Sequence, residues 1–176
     1  MNVPETISLD AATEAEFVLL SNLLELYIHD LSDVFLQVEL GADGRYGYEH
    51  LAEYWSDPER RFPFLIRCDG HVAGFVLAKR GSSASSDPDV FDVAEFFVMR
   101  RYRRSGVGRR AAFLLWDRLA GTWTIRVGEN NRRALEFWRS VVAEYTGGSV
   151  SEPTRHPDRE DWRVFQFENT ARRGTA

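Results

Sequence analysis

The sequence predicts one α/β (α+β) domain, in which a central, mixed but mostly antiparallel sheet carries helices on both faces. A chain of 176 residues that is 44% hydrophobic can bury one sizeable core. Apolar segments of strand length alternate with amphipathic segments of helix length. The predicted order is strand, one or two helices, three strands, helix, strand, helix and two strands. We expect the domain to span residues 1–170, followed by a disordered tail over residues 171–176.

The first third of the chain predicts a short strand and one or two helices. Residues 7–9 are the candidate strand. Thr13-x-x-Glu16 is a capping box ahead of apolar residues that recur at helical spacing from Phe17 to Leu31, which predicts a long amphipathic helix. A second short helix is expected over residues 46–55.

A hairpin and a buried strand follow. Residues 62–68 and 72–79 flank Asp69-Gly70, a pair that favours the tight turn of a β-hairpin. The polar segment 81–89 is then expected to form a loop. Residues 90–99 are rich in Val, Phe and Met and predict a largely buried strand.

The most distinctive segment comes directly after that strand. Six arginines surround Gly106-Val107-Gly108, and apolar residues then recur at helical spacing to Leu119; the six are Arg100, Arg101, Arg103, Arg104, Arg109 and Arg110. The first N–H groups of a helix lack internal partners and lie at the positive end of its dipole, where they can bind an anion. Glycines let the backbone approach a phosphate closely. Residues 104–109 therefore predict a pyrophosphate site at the start of a helix.

The last third predicts a strand, a helix and two strands. Gly121 is expected to end the preceding helix, and residues 122–127 form the next strand. Asn131 is expected to open a helix that stops at Gly147-Gly148. Residues 149–151 and 162–167 are the candidate closing strands, joined by a loop over 152–161.

Two blocks of this chain resemble the GNAT superfamily of N-acetyltransferases. Arg103-Arg104-Ser105-Gly106-Val107-Gly108 is similar to the family's Arg/Gln-x-x-Gly-x-Gly/Ala signature, and a strand precedes it as in the family. Asn131-Arg132-Arg133-Ala134-Leu135-Glu136-Phe137-Trp138 is similar to the Asn-x-x-Ala-x-x-aromatic-Tyr start of a family helix. Two blocks in the right order are more specific than either alone, although together they cover only about the central third of the chain.

The resemblance implies a cofactor and a way to bind it. In the GNAT fold two middle strands splay apart, here near residues 96–98 and over residues 122–127, and free backbone groups in the gap bind the pantetheine arm of acetyl-CoA like an added strand. The residues expected to bind acetyl-CoA are Phe96, Phe97, Val98, Arg103, Arg104, Ser105, Gly106, Val107, Gly108, Arg109, Asn131 and Ala134.

The reaction implied is transfer of an acetyl group from acetyl-CoA to the amine of an unidentified small molecule or peptide, by direct attack in a ternary complex. An alkylammonium with a pKa of roughly 10 is not a nucleophile, so a base must accept its proton. Glu95 is the first candidate, because burial in an apolar strand would raise its pKa; the alternative is a glutamate paired with an arginine. Asp92, expected on the opposite face of the strand, is second, and Glu129 is third. A backbone N–H of Phe97 or Val98 would stabilise the oxyanion.

One position departs from the family pattern. Many members carry a tyrosine general acid where this chain has Trp138, and an indole N–H is too weak an acid for that role. Two explanations stay open. A tyrosine from elsewhere acts instead, the candidates being Tyr27, Tyr46, Tyr102 and Tyr145, or the thiolate, with a pKa of roughly 8.5, leaves without help. In the second case Trp138 is a packing residue.

The acceptor site is expected near the end of the first helix, because the segment after the first strand helps to form that site in the GNAT fold. Tyr27 and Asp30 are the candidate substrate contacts, and a solvated helix end is the alternative. The resemblance also allows a homodimer. A second function class stays open, in which a GNAT-fold module binds acyl-CoA as a sensor with little turnover.

Other interpretations of the sequence are weaker. Gly106-x-Gly108-x-x-Ala111 also fits a dinucleotide fingerprint, but there the first glycine follows the strand directly, whereas here residues 100–105 intervene. The arginines could also lie on a solvated helix start without a ligand. The net charge of -5 argues against a nucleic-acid partner.

The remaining expectations concern cysteine and targeting. Cys68 is the single cysteine, so an internal disulfide and a multi-thiolate zinc site are excluded, and its apolar neighbours indicate an inert core thiol. No metal is expected. The N-terminus lacks the features of a signal peptide and no apolar run is long enough to span a bilayer, so we expect no membrane association and a cytoplasmic location.

Overall fold

The computed structural model describes residues 6–150 and 152–169. The tail predicted over residues 171–176 lies outside them. The helices and strands are β1 (Ile7–Ala11), α1 (Phe17–Leu31), α2 (Glu53–Ser56), β2 (Arg61–Cys68), β3 (His71–Arg80), β4 (Phe91–Val98), α3 (Val107–Arg118), β5 (Gly121–Gly128), α4 (Arg132–Tyr145), β6 (Thr154–Arg155) and β7 (Trp162–Asn169). This is the order that the sequence predicts. Within the described ranges, no helix combines the length and the apolar character that a membrane span requires.

The strands form one sheet in the order β1-β2-β3-β4-β5-β7-β6. All neighbouring pairs are antiparallel except β4 and β5, which run parallel. Each face of the sheet carries its own core. Phe64, Val76 and Val93 pack with α3 and α4 on one face, and Leu65 and Leu77 pack with α1 and α2 on the other. The mixed, mostly antiparallel sheet with helices on both faces is thus confirmed.

The parallel strands β4 and β5 separate soon after they meet. They pair at only three positions, Phe91 with Trp123, Asp92 with Thr124, and Val93 with Ile125. Beyond these positions the two strands, both within the described residues, no longer pair with each other. The splayed middle strands that the resemblance implied are therefore present.

A β-bulge in β4 changes which residues share a face. Ala78 pairs with Val93 and Leu77 pairs with Glu95, so Ala94 between them has no partner on β3. Because side chains alternate along a strand, the extra residue brings Asp92 and Glu95 to the same face of the sheet, the face covered by α1. The expectation that they lie on opposite faces is wrong.

The hairpin prediction is confirmed. The strands β2 and β3 flank Asp69 and Gly70, whose φ angles are 50° and 78°. Two successive residues with positive φ are typical of a type I′ turn, which matches the twist of the flanking strands.

The second helix is shorter than predicted. Residues 46–52 form turns and irregular backbone, and only Glu53–Ser56 are helical. The cause lies outside the segment, because the Glu25 carboxylate of α1 accepts hydrogen bonds from the N–H groups of Tyr46 and Gly47 at 2.7 and 3.1 Å. Gly47 has a φ of 75°, which no helix permits.

Two boundaries in the second half also differ from the prediction. The helix α3 ends at Arg118, because Leu119 is already extended, and Gly121 begins β5 instead of ending the helix. The strand predicted over 149–151 is wrong for Ser149 and Val150, whose N–H groups bond to the O and Oγ1 atoms of Thr146 at the end of α4. Ser151 lies outside the described residues. The strand β6 falls instead within the predicted loop.

Candidate functional site

The N-terminus of α3 is open to a ligand. Its cap residue, Gly106, has a left-handed φ of 84°, no side chain caps the helix, and its first turn holds no acidic residue. A Cβ added at Gly106 would meet nothing within 4 Å. No side chain thus caps the first N–H groups of this helix, and the space beside its cap residue is open, as a phosphate site requires.

The arginines around this helix start divide into paired and unpaired residues. Arg103 donates to the Val98 carbonyl oxygen at 2.6 Å and pairs with Asp30. Arg109 pairs with Glu144 at 2.6 Å. Arg104 is exposed and pairs with no carboxylate of the described residues. Of the arginines predicted to contact the cofactor, Arg104 is thus the one whose charge is uncompensated.

Asp30 connects α1 to the basic segment. Its two carboxylate oxygens accept hydrogen bonds from Arg100, at 2.7 Å, and from Arg103. Although burial raises the pKa of Asp30, the bonds from the two arginines outweigh it and lower that pKa below its ordinary value. The contact predicted between Asp30 and the substrate stays a prediction, while its observed role is to tie the end of α1 to the turn after β4.

The backbone of β4 points specific groups into the gap between β4 and β5, which opens where the two strands stop pairing. Met99 N–H donates to Ala73 on β3 at 2.9 Å. Successive residues of a strand point their backbone groups to opposite sides, so the groups of Phe97 point to β3 and those of Phe96 and Val98 point to the gap. Of the two predicted oxyanion donors, Val98 is the one whose N–H faces the gap.

The two sequence blocks that resemble the GNAT family meet in space. A Cβ at Gly108 would lie 3.2 Å from the Phe137 ring of α4. Asn131 caps α4 as predicted, since its side-chain oxygen accepts from Ala134 N–H at 3.1 Å. Trp138 is buried and its ring centroid lies 5.0 Å from that of Phe96, as expected for a packing residue. Within the basic turn, Ser105 Oγ donates to the Tyr102 carbonyl at 2.8 Å, and Val107 is fully buried.

A cavity of about 340 Å³ opens on the α1 face beside the bulge of β4. Glu95 lies in its wall and accepts two hydrogen bonds, from Tyr27 O–H at 2.7 Å and from Tyr48 O–H at 3.2 Å. The cavity is lined by Tyr27, Ile28, Leu31, Val38, Glu39, Tyr46, Gly47, Tyr48 and Glu95. The predicted residues Glu95 and Tyr27 are thus brought together, at the point where β4 leaves β5.

Burial raises the pKa of Glu95, and the hydrogen bonds from Tyr27 and Tyr48 offset only part of this effect. Burial and the nearby Glu95 in turn raise the pKa of both tyrosines well above the ordinary value. The tyrosines therefore stay protonated and act as hydrogen-bond donors. Glu95 has the raised pKa expected of a general base.

Asp92 lies in a different environment from Glu95. It is fully buried and forms an ion pair with Arg126 at 2.7 Å. Its Oδ1 atom also accepts from Thr124 at 3.0 Å and from Ser82 at 3.1 Å. The contacts with Arg126 and Thr124 link β4 to β5 where the two strands still pair. They favour a structural role for Asp92, and its catalytic role stays a prediction without support from its contacts.

The other candidate groups are also placed. Glu129 forms an ion pair with Arg163. No such pair holds Glu95 among the described residues, so the alternative of an arginine-paired Glu95 is not observed. Of the tyrosines predicted as acids, Tyr27 and Tyr46 line the cavity, whereas Tyr145 donates to Asp117. In the described part of the chain, no group of His, Cys, Asp and Glu residues is arranged to hold a metal ion.

Sequence reasoning missed the roles of Tyr48 and Arg126. The sequence indicates only packing for Tyr48, because its partner Glu95 lies 47 positions away. Arg126 stands in a strand of otherwise apolar and small residues. A charged residue in a buried strand signals a partner, and this signal could have indicated the pair with Asp92.

Comparisons with known proteins agree with this geometry. The model of the acetyltransferase (GNAT) family matches residues 23–141. No curated protein sequence matches the chain. Among solved structures, an acetyltransferase from Thermus thermophilus has a TM-score of 0.69 at 16% identity, over 96% of this chain and 100% of that one.

Two further solved structures hold a ligand. RimL, the ribosomal L7/L12 alpha-N-protein acetyltransferase in complex with coenzyme A, has a TM-score of 0.63 at 14% identity, covering 97% of this chain and 98% of its own. The protein yncA from Salmonella typhimurium, with its cofactor acetyl-CoA, has a TM-score of 0.59 at 15% identity, covering 99% of this chain and 98% of its own. At these identities the likeness concerns the fold.

Proposed function

Because the chain belongs to the acetyltransferase (GNAT) family, we propose that it transfers the acetyl group of acetyl-CoA directly to an amine in a ternary complex. One observation carries the proposal. Glu95, a partly buried carboxylate with a raised pKa, lies in the wall of a cavity next to the diverging strands β4 and β5. A base beside a cleft is what acetylation of an amine needs.

The residues at the start of α3 fit acetyl-CoA. When bound, this cosubstrate supplies the acetyl group as an activated thioester. The N–H groups of Val107, Gly108 and Arg109, together with the Arg104 side chain, would hold its pyrophosphate. The gap-facing backbone groups of Phe96 would bind the pantetheine arm, since the Val98 carbonyl already accepts from Arg103. The solved neighbours with coenzyme A or acetyl-CoA support acetyl-CoA as the cosubstrate.

Two groups of this chain would serve the transfer itself. The Glu95 carboxylate accepts the proton that the amine loses as it forms its bond to the acetyl carbon. The Val98 N–H donates a hydrogen bond to the oxygen on which negative charge develops. Trp138 cannot protonate the departing sulfur, and a thiol pKa of roughly 8.5 makes a thiolate an adequate leaving group without an acid.

The test is release of free thiol from acetyl-CoA by the purified protein, measured across a panel of amines. Release that depends on the amine, together with mass-spectrometric detection of the acetylated amine, is the expected result. Tight binding of acetyl-CoA in calorimetry, with no amine-dependent release across the panel, would instead support an acyl-CoA sensor.

A further inference from the structure

We infer that the acceptor is a small primary amine on an apolar or aromatic arm, with no carboxylate near the amine. The inference rests on the proposed function, because it assigns the acceptor to the cavity at Glu95. It goes further in that the charges and shape of the cavity select one chemical class of amine.

The lining of the cavity suits a cation on an apolar arm. Two of its residues are acidic, Glu95 inside and Glu39 at an exposed position on the rim. Its other side chains are tyrosines and aliphatic residues, and none of the described residues that line it is basic. Carboxylates and tyrosine ring faces attract an ammonium group. The aliphatic side chains offer contact to an apolar arm.

The basic residues on the elements around the cavity are already paired. Arg126 binds both oxygens of Asp92, at 3.0 and 2.7 Å. Arg45 forms an ion pair with Glu25 at 3.3 Å.

The end of α1 differs. Arg100 and Arg103 share the single carboxylate of Asp30, so this cluster keeps one net positive charge, but neither arginine lines the cavity. None of the described residues that line the cavity is basic, so the cavity itself offers no positive charge to a carboxylate on the acceptor. An amine that carries a carboxylate would therefore meet repulsion from Glu95 and Glu39.

The size of the cavity sets the second limit. A volume of about 340 Å³ lies at the small end of ligand pockets. The segment that closes it, residues 45–48, is held to α1 by the bonds from Tyr46 and Gly47 to Glu25. This anchoring favours a preformed site for a small molecule over a groove for a folded protein.

The experiment compares amines that differ only by a carboxylate. Tyramine is paired with tyrosine, and pentylamine with norleucine. Two measurements are made: kcat/KM from thiol release, and Kd from calorimetry with the coenzyme A complex. Compared with its amino acid, each amine should have a kcat/KM at least about tenfold higher and a Kd at least about tenfold lower. Glu39→Gln should reduce the difference between amine and amino acid in both quantities. The matched control is Glu49→Gln, at an exposed carboxylate that does not line the cavity. This control should leave the difference between amine and amino acid unchanged.

The outcomes separate this inference from the proposed function. Equal or better use of tyrosine and norleucine would overturn the inference while acetyl transfer stands. A free tripeptide amine preferred over tyramine would also overturn it. Binding of tyramine without any acetyl transfer would support the acceptor class and contradict the proposed function.

Discussion

At the scale of single residues, the reactivity of Glu95 depends on opposing effects on one carboxyl group. Burial disfavours its charged form and raises its pKa, while the O–H groups of Tyr27 and Tyr48 stabilise the charge and lower it. Burial is the larger effect. The carboxylate is therefore more basic than that of an ordinary surface glutamate.

Glu95→Gln should lower kcat by about 10²- to 10⁴-fold, which is the range of general base catalysis. In the parent, kcat/KM should rise with pH through an apparent pKa above the ordinary glutamate value of roughly 4.3, because the base must be ionised. This rise of kcat/KM with pH, the acidic limb of the pH profile, should be absent from the variant. Steady-state rates across the pH range measure both effects.

The affinity for acetyl-CoA is the control for Glu95→Gln. It should stay unchanged, because the carboxylate lies in the cavity on the α1 face and not at the start of α3. A variant with parental kcat at every pH would remove Glu95 from the mechanism.

Tyr27→Phe should shift the acidic limb of the pH profile to higher pH. The lost hydrogen bond is one that lowers the pKa of Glu95, so that pKa should rise further. Tyr48→Phe should give a smaller shift in the same direction, since its bond is 3.2 Å long against 2.7 Å for Tyr27. The ring packing of Tyr27 against Phe75 and Phe97 is kept by phenylalanine. A shift to lower pH in either variant would contradict this account.

At the scale of elements, the site depends on how α3 begins and how β4 leaves β5. The uncapped start of α3 concentrates several free N–H groups, and the left-handed Gly106 keeps the space in front of them open. The early end of the β4–β5 pairing exposes further backbone groups. Both features are interruptions of regular structure. A side-chain cap on α3, or continued pairing of β4 with β5, would occupy the free backbone groups.

Gly106→Asp should weaken acetyl-CoA binding by roughly 100-fold or more, because its carboxylate would compete with phosphate for the free N–H groups. Gly106→Asn is the matched control. It is nearly isosteric and neutral, and asparagine tolerates a positive φ, so it should bind far better than the aspartate variant. Calorimetry with acetyl-CoA tests the pair. Equal, tight binding by the aspartate variant would show that the pyrophosphate lies elsewhere.

Arg126→Met should destabilise the fold by about 3–5 kcal/mol, because it leaves the buried Asp92 charge without its partner. The double variant Asp92→Asn/Arg126→Met should recover part of this loss. Arg139→Met is the control, since its ion pair with Glu152 is exposed and is worth at most about 1 kcal/mol. Urea unfolding measures all three. Equal losses for Arg126→Met and Arg139→Met would contradict the structural role of the pair.

The elements also show what sequence can and cannot predict. The hairpin at Asp69-Gly70 and the α4 cap at Asn131 depend on neighbouring residues, and both were predicted. The missing helix over residues 46–52 depends on Glu25, which lies far away in the chain. The bulge at Ala94 depends on pairing with β3, and no residue pattern in the local sequence indicates it. Glu95 could therefore be selected by its residue type, but its two tyrosine partners could not.

At the scale of the whole molecule, the sheet separates reactive groups that share one domain. The Glu95 cavity lies on the α1 face, whereas Cys68 is buried in the core on the α3 and α4 face. Burial, with a smaller contribution from Asp69, raises the pKa of the Cys68 thiol, so the thiolate form is disfavoured. The one cysteine of the chain thus lies on the other face of the sheet from the cavity, and its thiol is disfavoured as a nucleophile.

This separation predicts direct transfer without an acetylated enzyme. Initial rates at varied acetyl-CoA and amine should give intersecting double-reciprocal lines, because both substrates must be bound before the amine attacks. Cys68→Ala should keep kcat within about twofold, since the thiol takes no part in the chemistry. Parallel lines would indicate an acetylated enzyme, and loss of turnover in a folded Cys68→Ala protein would place the acetyl group on Cys68. Such a step would also need a path through the sheet, which the buried strands β2, β3 and β4 do not provide.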